Sequence, residues 1–192
     1  MAIFLALVHH PILNKRGEVV ATALTNVDVH DISRSACSYG VEKLFVVTPV
    51  TLQQRMVGEI VGHWVAGEGA RLNPLRAEAM SRVTAAPSLD SACSAIAEQC
   101  GQPPLVVVTS AQMPDADTTW EGLARQVRQD DRPVLIVFGT GWGLAPEVLV
   151  AADLRLPAIV RDPTVGSSDD DYNHLSVRAA AAITLDRLLG AH

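Results

Sequence analysis

Short, wholly apolar runs alternate along this chain with segments of helical spacing. Ile3 to Val8 is apolar at every position, the pattern of a strand buried on both faces. Leu44 to Thr48 (LFVVT), Leu105 to Thr109 (LVVVT) and Pro133 to Phe138 (PVLIVF) repeat it, and Val83 to Ala85 and Ala158 to Val160 are briefer versions. Between them lie helical patterns. Asn26 to Tyr39 places Val29, Ile32, Ala36 and Tyr39 on one face and stops at Gly40, a suitable residue just past a helix end. Thr51 to Val65 begins with a candidate N-cap at Thr51, and Ser88 to Gln99 begins with one at Ser88 and carries a stripe of Leu89, Cys93, Ile96 and Ala97. Trp120 to Arg128 and Ala145 to Ala151 are shorter helices. His174 to Leu189 closes the chain, with Leu175, Ala179, Ala182, Ile183, Leu185 and Leu189 expected to face inward. This alternation predicts one α/β domain over residues 1–192, a mostly parallel sheet flanked by helices. Ligands of such sheets bind at the carboxyl ends of strands, so the loops after Val8, Thr48, Val108, Phe138 and Val160 are the places to look. The longest irregular stretch runs from Arg161 to Tyr172.

Composition narrows the picture. Hydrophobic residues make up 48% of the 192 and aromatics only 4%, which requires an aliphatic core and excludes disorder as the main state. The net charge of −6, with the second half the more acidic, argues against a protein that grips nucleic acid through a broad basic surface. Cys37, Cys93 and Cys100 are an odd set without CxxC spacing, so reduced thiols in a cytoplasmic protein are expected and a disulfide framework or cysteine zinc site is not. His9, His10 and His30 lack the spacing of a metal site, and no metal is expected. The apolar start, MAIFLALV, is too short for a membrane span and lacks a basic leader, which makes it a first strand.

Two segments can carry chemistry. FGTGWGLA, Phe138 to Ala145, follows a buried strand and precedes a helix; its glycines let a ligand approach the backbone, and the helix offers free N–H donors. A tight strand-to-helix turn explains the same residues, and the spacing is not the GxGxxG of a nicotinamide or flavin site. Tyr172 to Gly190 (YNHLSVRAAAAITLDRLLG) opens with Asn173, His174 and Ser176 beside a turn, where capping is the simplest role.

In order along the chain, GTGWGLA, Ala152-Asp153, LRLPAI and YNHLSVRAAAAI resemble the SPOUT superfamily of RNA methyltransferases. An upstream segment, NVDVHDISRSACSYGVEKLFVVTP, resembles the first SPOUT motif, with Arg34, Ala36 and Tyr39-Gly40 in its places. The resemblance covers nearly the whole chain and is strongest to the SPOUT family found in some organisms joined to a TrmD-like tRNA guanine-N1 methyltransferase.

The resemblance implies a C-terminal deep trefoil knot, a homodimer, and S-adenosylmethionine (SAM) bound in the knot. Threading of this kind is not something general physics predicts. It implies a SAM-dependent RNA methyltransferase acting on tRNA, at a base nitrogen or a ribose 2′-OH. The alternative is a non-catalytic knotted module that dimerises, binds SAM and presents RNA to a separate TrmD-like or other RNA-binding partner. The implied cofactor pocket comprises Thr109, Ser110 and Ala111; Phe138, Gly139, Thr140, Gly141, Trp142, Gly143 and Leu144; and Leu156, Ile159, His174, Leu175 and Ser176. The implied catalytic candidates are Arg34, His30 and His174. Arg34 would hold phosphate or lie near the target, or else pair at the surface with Asp31 or Glu42. His30 and His174 would act as bases or fill hydrogen-bonded structural roles. His9 and His10 could line the same strand-end rim, Asp169-Asp170-Asp171 could face the sulfonium or simply be solvated, and Trp142 could close over the cofactor, pack at an interface or be partly buried. Three positions depart from the superfamily pattern: Thr140-Gly141 replaces a glutamate, and His174 and Asp28 stand where asparagines are usual.

Overall fold

A computed structural model describes residues 1–113, 115–162, 164 and 172–191. In chain order the first half forms β1 (Ile3–Val8), β2 (Ile12–Leu13), β3 (Val19–Val20), α1 (Asn26–Ser38), β4 (Lys43–Val47), α2 (Thr51–Val65), α3 (Glu68–Leu72), α4 (Pro74–Ser81) and β5 (Val83–Ala86). The second half forms α5 (Leu89–Cys100), β6 (Leu105–Val108), α6 (Trp120–Gln129), β7 (Val134–Gly139), α7 (Pro146–Ala151), β8 (Leu154–Arg155) and α8 (Val177–Leu189). Six strands make one sheet in the order β5-β4-β1-β7-β6-β8. Every pair in it is parallel, so all strand carboxyl ends share one edge.

The apolar runs take the centre because they must be covered on both sides. All six residues of β1 are buried, and so are the first five of β7. Alternate side chains feed two cores. Leu5, Leu7, Ile136 and Phe138 pack with Ile32 of α1 and Leu185 and Leu188 of α8 on one face. Phe4, Ala6, Val8, Leu135 and Val137 pack with Ala92 and Ile96 of α5 on the other. Caps set the helix starts: Thr25, Ser88, Thr119 and Ser176 each accept a backbone N–H from the first turn of their helix.

Four expectations need correction. Thr51 does not cap α2; Val50 occupies the cap and offers no side-chain acceptor. The edge strand is Leu154–Arg155 and not Ala158 to Val160, because Asp153 and Leu156 backbone N–H groups donate to Val106 and Val108 and fix the register four residues earlier. The last helix starts at Val177, so His174, Leu175 and Ser176 stand before it. Its buried positions are Ala181, Thr184, Leu185 and Leu188, so of the expected stripe Leu185 is buried and Leu189 packs partly buried against the core. A run of four alanines gives little contrast between faces, so the phase is set by what α1 and α6 press against. The two-residue strands β2 and β3 and the helices α3 and α4 complete the fold without a counterpart in the apolar pattern.

Candidate functional site

The carboxyl ends of β1, β6 and β7 open onto one cavity of about 790 Å³. The loop after β6 supplies Thr109, Ser110, Ala111 and Gln112, and the end of β7 with its glycine loop supplies Phe138, Gly139, Thr140, Gly141, Trp142 and Gly143. The approach to α8 and its inner face supply Asn173, His174, Leu175, Val177, Ala180 and Thr184. Pro157, Ile159, Trp120 and, from the N-terminal part, His9, Thr22, Ala23 and Asp28 complete the wall. No Lys or Arg is among these residues.

The glycine loop is held from below by the β2–β3 ribbon. Leu13 N–H donates to Gly143 O at 2.9 Å, Trp142 N–H to Leu13 O at 3.1 Å, and Ala145 N–H to Pro11 O at 3.2 Å. Gly141 has φ +57°, and a Cβ there would sit 3.0 Å from Ile12 Cγ2 and 3.1 Å from Thr22 Cγ2. Glycine is therefore required by both conformation and space. Trp142, at the tip, is 62% exposed over the cavity mouth.

A chain of polar contacts runs from this loop to β1. Thr140 Oγ1 donates to Val8 O at 3.0 Å, Thr22 Oγ1 lies 2.5 Å from Thr140 Oγ1, and His9 Nδ1 lies 3.0 Å from Thr22 Oγ1. His9 is 1% exposed. Burial pushes its pKa below the usual 6.5, against the opposing pull of Asp28. Among the described residues its Nε2 has no hydrogen-bond partner, and neither has the buried Oγ1 of Thr184.

Asp28, nearly buried in the first turn of α1, joins the two sequence motifs. Its Oδ1 meets Arg178 Nη1 at 2.7 Å, its Oδ2 accepts from Thr25 Oγ1 at 2.5 Å, and Arg178 Nε reaches Asp31 Oδ2 at 3.4 Å.

Most of the expected pocket residues stand together in this wall, with three exceptions. Leu144 is buried beneath the loop and bridges Ile12. Leu156 is fully buried in the core, drawn in by its N–H bond to Val108 O. Ser176 is the cap of α8. Of the catalytic candidates only His174 lines the cavity, exposed, with its ring 5.2 Å from that of Tyr172. His30 is half-buried outside the wall; its Nε2 accepts from Trp64 Nε1 at 3.1 Å, and burial with the Arg76 guanidinium lowers its pKa despite Asp31. Arg34 is exposed on α1, outside the wall, and makes no ion pair among the described residues; Asp31 is taken by Arg178. His9 does line the strand-end rim. Asp169-Asp170-Asp171 lie outside the described residues. Gln112 extends the expected loop after β6 by one residue, whereas Thr22, Asp28, Trp120 and Thr184 enter the wall through the packing of elements distant in sequence, which no local pattern signals. Among the described residues no group of three or more His, Cys, Asp or Glu is placed to hold a metal ion, and no helix is long and apolar enough to cross a membrane.

The space suits an adenosyl ligand. Its volume falls in the usual range for such pockets, about 300–1,000 Å³, and its wall mixes apolar side chains with hydroxyl, amide, imidazole and carboxylate groups. The cradle at Gly141 that a Cβ would fill brings backbone close to any occupant.

Comparison with known proteins agrees with this geometry. A family model described as SAM-dependent RNA methyltransferase matches residues 2–190. A tRNA (guanine-N(1)-)-methyltransferase of Nitratidesulfovibrio vulgaris is 47% identical over 98% of this chain, which spans 42% of that relative's length. Among solved structures, a probable methylase family protein from Haemophilus influenzae Rd KW20 superposes with a TM-score of 0.60 at 18% identity, covering 97% of this chain and 64% of the other. The SpoU methyltransferase AviRb from Streptomyces viridochromogenes, in complex with AdoMet, superposes at 0.55 with 15% identity, covering 98% and 57%. These two likenesses are likenesses of fold.

Proposed function

This chain belongs to the family of SAM-dependent RNA methyltransferases, and from that premise we propose that it transfers a methyl group from SAM to tRNA, at a base nitrogen or a ribose 2′-OH. The observation that carries the reading is the single cavity where three strand ends, the glycine loop and the approach to α8 converge. Thr109 to Ala111, Phe138 to Gly143, Ile159 and Leu175 would hold the cofactor. SAM, when bound, supplies an electrophilic methyl group on a sulfonium. The protein then has to align the acceptor, exclude water and manage one proton. The glycine loop, clamped by the β2–β3 ribbon, fixes one wall of that alignment. Trp142 shields the mouth.

Phosphate contacts would come from outside the cavity, since its wall holds no cation. Arg34, exposed on α1, is one such contact. A homodimer, or a partner able to bind RNA, would supply others. A C-terminal trefoil knot and a cytoplasmic site of action belong to the same proposal. The chain spans under half of the N. vulgaris relative, so further segments of such a protein could provide the rest of the RNA surface.

Calorimetry with SAM and with NAD, followed by methyl incorporation into unmodified tRNA and mass spectrometry of its nucleosides, tests the reading. SAM binding, no NAD binding and one new methylated nucleoside are expected, with incorporation reduced in Arg34→Ala. SAM binding without incorporation into any RNA would favour the non-catalytic module; absence of SAM binding would reject both.

A further inference from the structure

Two buried polar atoms without partners among the described residues, His9 Nε2 and Thr184 Oγ1, belong to residues of the same cavity wall. Unpartnered buried polar atoms are uncommon and costly, and two in one wall mark a place made for a polar group. Counting protons along the hydroxyl chain says which kind of group. A threonine hydroxyl has one proton. The Thr140 proton goes to Val8 O, which can only accept. The Thr22 proton must then serve the 2.5 Å contact with Thr140 Oγ1 or the longer one with His9 O at 3.4 Å. Either way Thr22 has no proton left for the 3.0 Å contact with His9, so His9 Nδ1 is the donor there. The count assigns the Nδ1–H tautomer and leaves Nε2 as a bare acceptor. Burial favours this neutral form.

The charges around the ring fit the same role. Asp28, from α1, faces it and favours a proton arriving on it. Arg178, from α8, offsets part of that charge through its 2.7 Å contact with Asp28, and His174 is the other titratable group of the wall among the described residues. No cation in the wall invites a phosphate or carboxylate to this end. A group bearing N–H or O–H fits it.

We propose that His9 accepts, at Nε2, the proton of the RNA atom that becomes methylated. The proposal rests on the methyltransferase reading above. The acceptor N–H or O–H gives its proton to Nε2 as the acceptor atom bonds the methyl carbon, and the carbon–sulfur bond breaks with its electrons passing to sulfur. The proton leaves the imidazolium later for water. Thr22 and Thr140 keep the ring in the required tautomer and tie it to the glycine loop.

Histidine-labelled protein read by NMR at pH 7.5 tests the tautomer without any reaction. His9 is expected to show the Nδ1–H form, titrating below the ordinary value; the Nε2–H form would overturn the proposal. His9→Asn keeps a side-chain N–H near Thr22 but has no base. It should bind SAM within about twofold of the parent while single-turnover methyl transfer falls on the order of 100-fold. In the parent the transfer rate should rise with pH through a pKa below 6.5 and level off, and in His9→Asn that rise should vanish. His9→Gln, with thermal melting of both variants, separates a lost base from a lost fold. Parent-like transfer in a folded variant overturns the role of His9 alone. Absence of SAM binding in the parent overturns the methyltransferase reading and this step with it, while the tautomer spectrum stands as a separate record of His9.

Discussion

Arg178 Nη1 stands 2.7 Å from Asp28 Oδ1, joining residues 150 positions apart in sequence. The pair closes α8 against the first turn of α1 at the cavity wall. Asp28 is 8% exposed, so its carboxylate depends on Arg178 and Thr25 in place of water.

That asymmetry predicts unequal variants. Arg178→Ala leaves a nearly buried carboxylate with one hydroxyl partner and should lower unfolding stability by about 1–3 kcal/mol. Asp28→Asn keeps the Thr25 contact and loses only the charge, so it should cost less. The double variant should cost less than the two singles added, because the stranded charge is gone. Denaturant unfolding of the four proteins checks this; strict additivity would mean that the two side chains do not interact in solution.

The sequence made the sheet legible because strands buried on both faces are written as uninterrupted apolar runs. Ile3–Val8 and Val134–Gly139 lie within one residue of where those runs place them. The glycine loop was legible for a related reason: few residues besides glycine tolerate the Gly141 backbone. What the sequence hid is held by contacts far apart. The Ile12–Leu13 strand is two residues long and acquires meaning only where it grips Gly143. The phase of α8 is ambiguous because alanines on opposite faces look alike. The His9–Thr22–Thr140 chain joins residues 13 and 118 apart, and no local pattern announces it.

Gly141→Ala should separate loop conformation from overall fold. The left-handed backbone costs a β-carbon about 1–2 kcal/mol. The 3.0 Å approach to Ile12 Cγ2 adds to it, and β2 can yield only by loosening its hold on the loop. Stability should fall by about 1–3 kcal/mol, and SAM affinity should fall further than that loss in stability explains. Calorimetry beside thermal melting reads both. Undiminished SAM affinity in Gly141→Ala would mean that the loop does not form the cofactor wall.

Stability should depend on pH in a window below neutrality. His9 and His30 both have pKa values lowered from 6.5, chiefly by burial. Between those lowered values and 6.5 the unfolded chain binds more protons than the folded one, so stability rises with pH across the window. Their contribution is complete above it and lost as pH falls through it. Asp117 and Asp162 titrate below the usual 3.8 and so act only in stronger acid. Unfolding midpoints at pH 7.5, 6.5 and 5.5 should decline in the parent, and more shallowly in His9→Asn and His30→Asn. An unchanged slope in both variants would assign the decline to other groups.

Trp142 offers a direct optical reading of the cavity. It is 62% exposed at the mouth, whereas Trp120 lines the wall under the Arg187 guanidinium at 4.9 Å and Trp64 packs with His30 and Arg76 outside it. An adenosyl group entering between the glycine loop and Leu175 would cover the Trp142 indole and exclude water from it. Tryptophan emission should therefore change on titration with SAM, and most of that change should disappear in Trp142→Phe while binding persists by calorimetry. Trp142→Ala removes the covering ring altogether and should weaken SAM by about 1 kcal/mol, roughly fivefold in affinity. A full emission change in Trp142→Phe would place the ligand against Trp120, deeper along α6, with the indole of Trp142 free for an interface with RNA or a second chain.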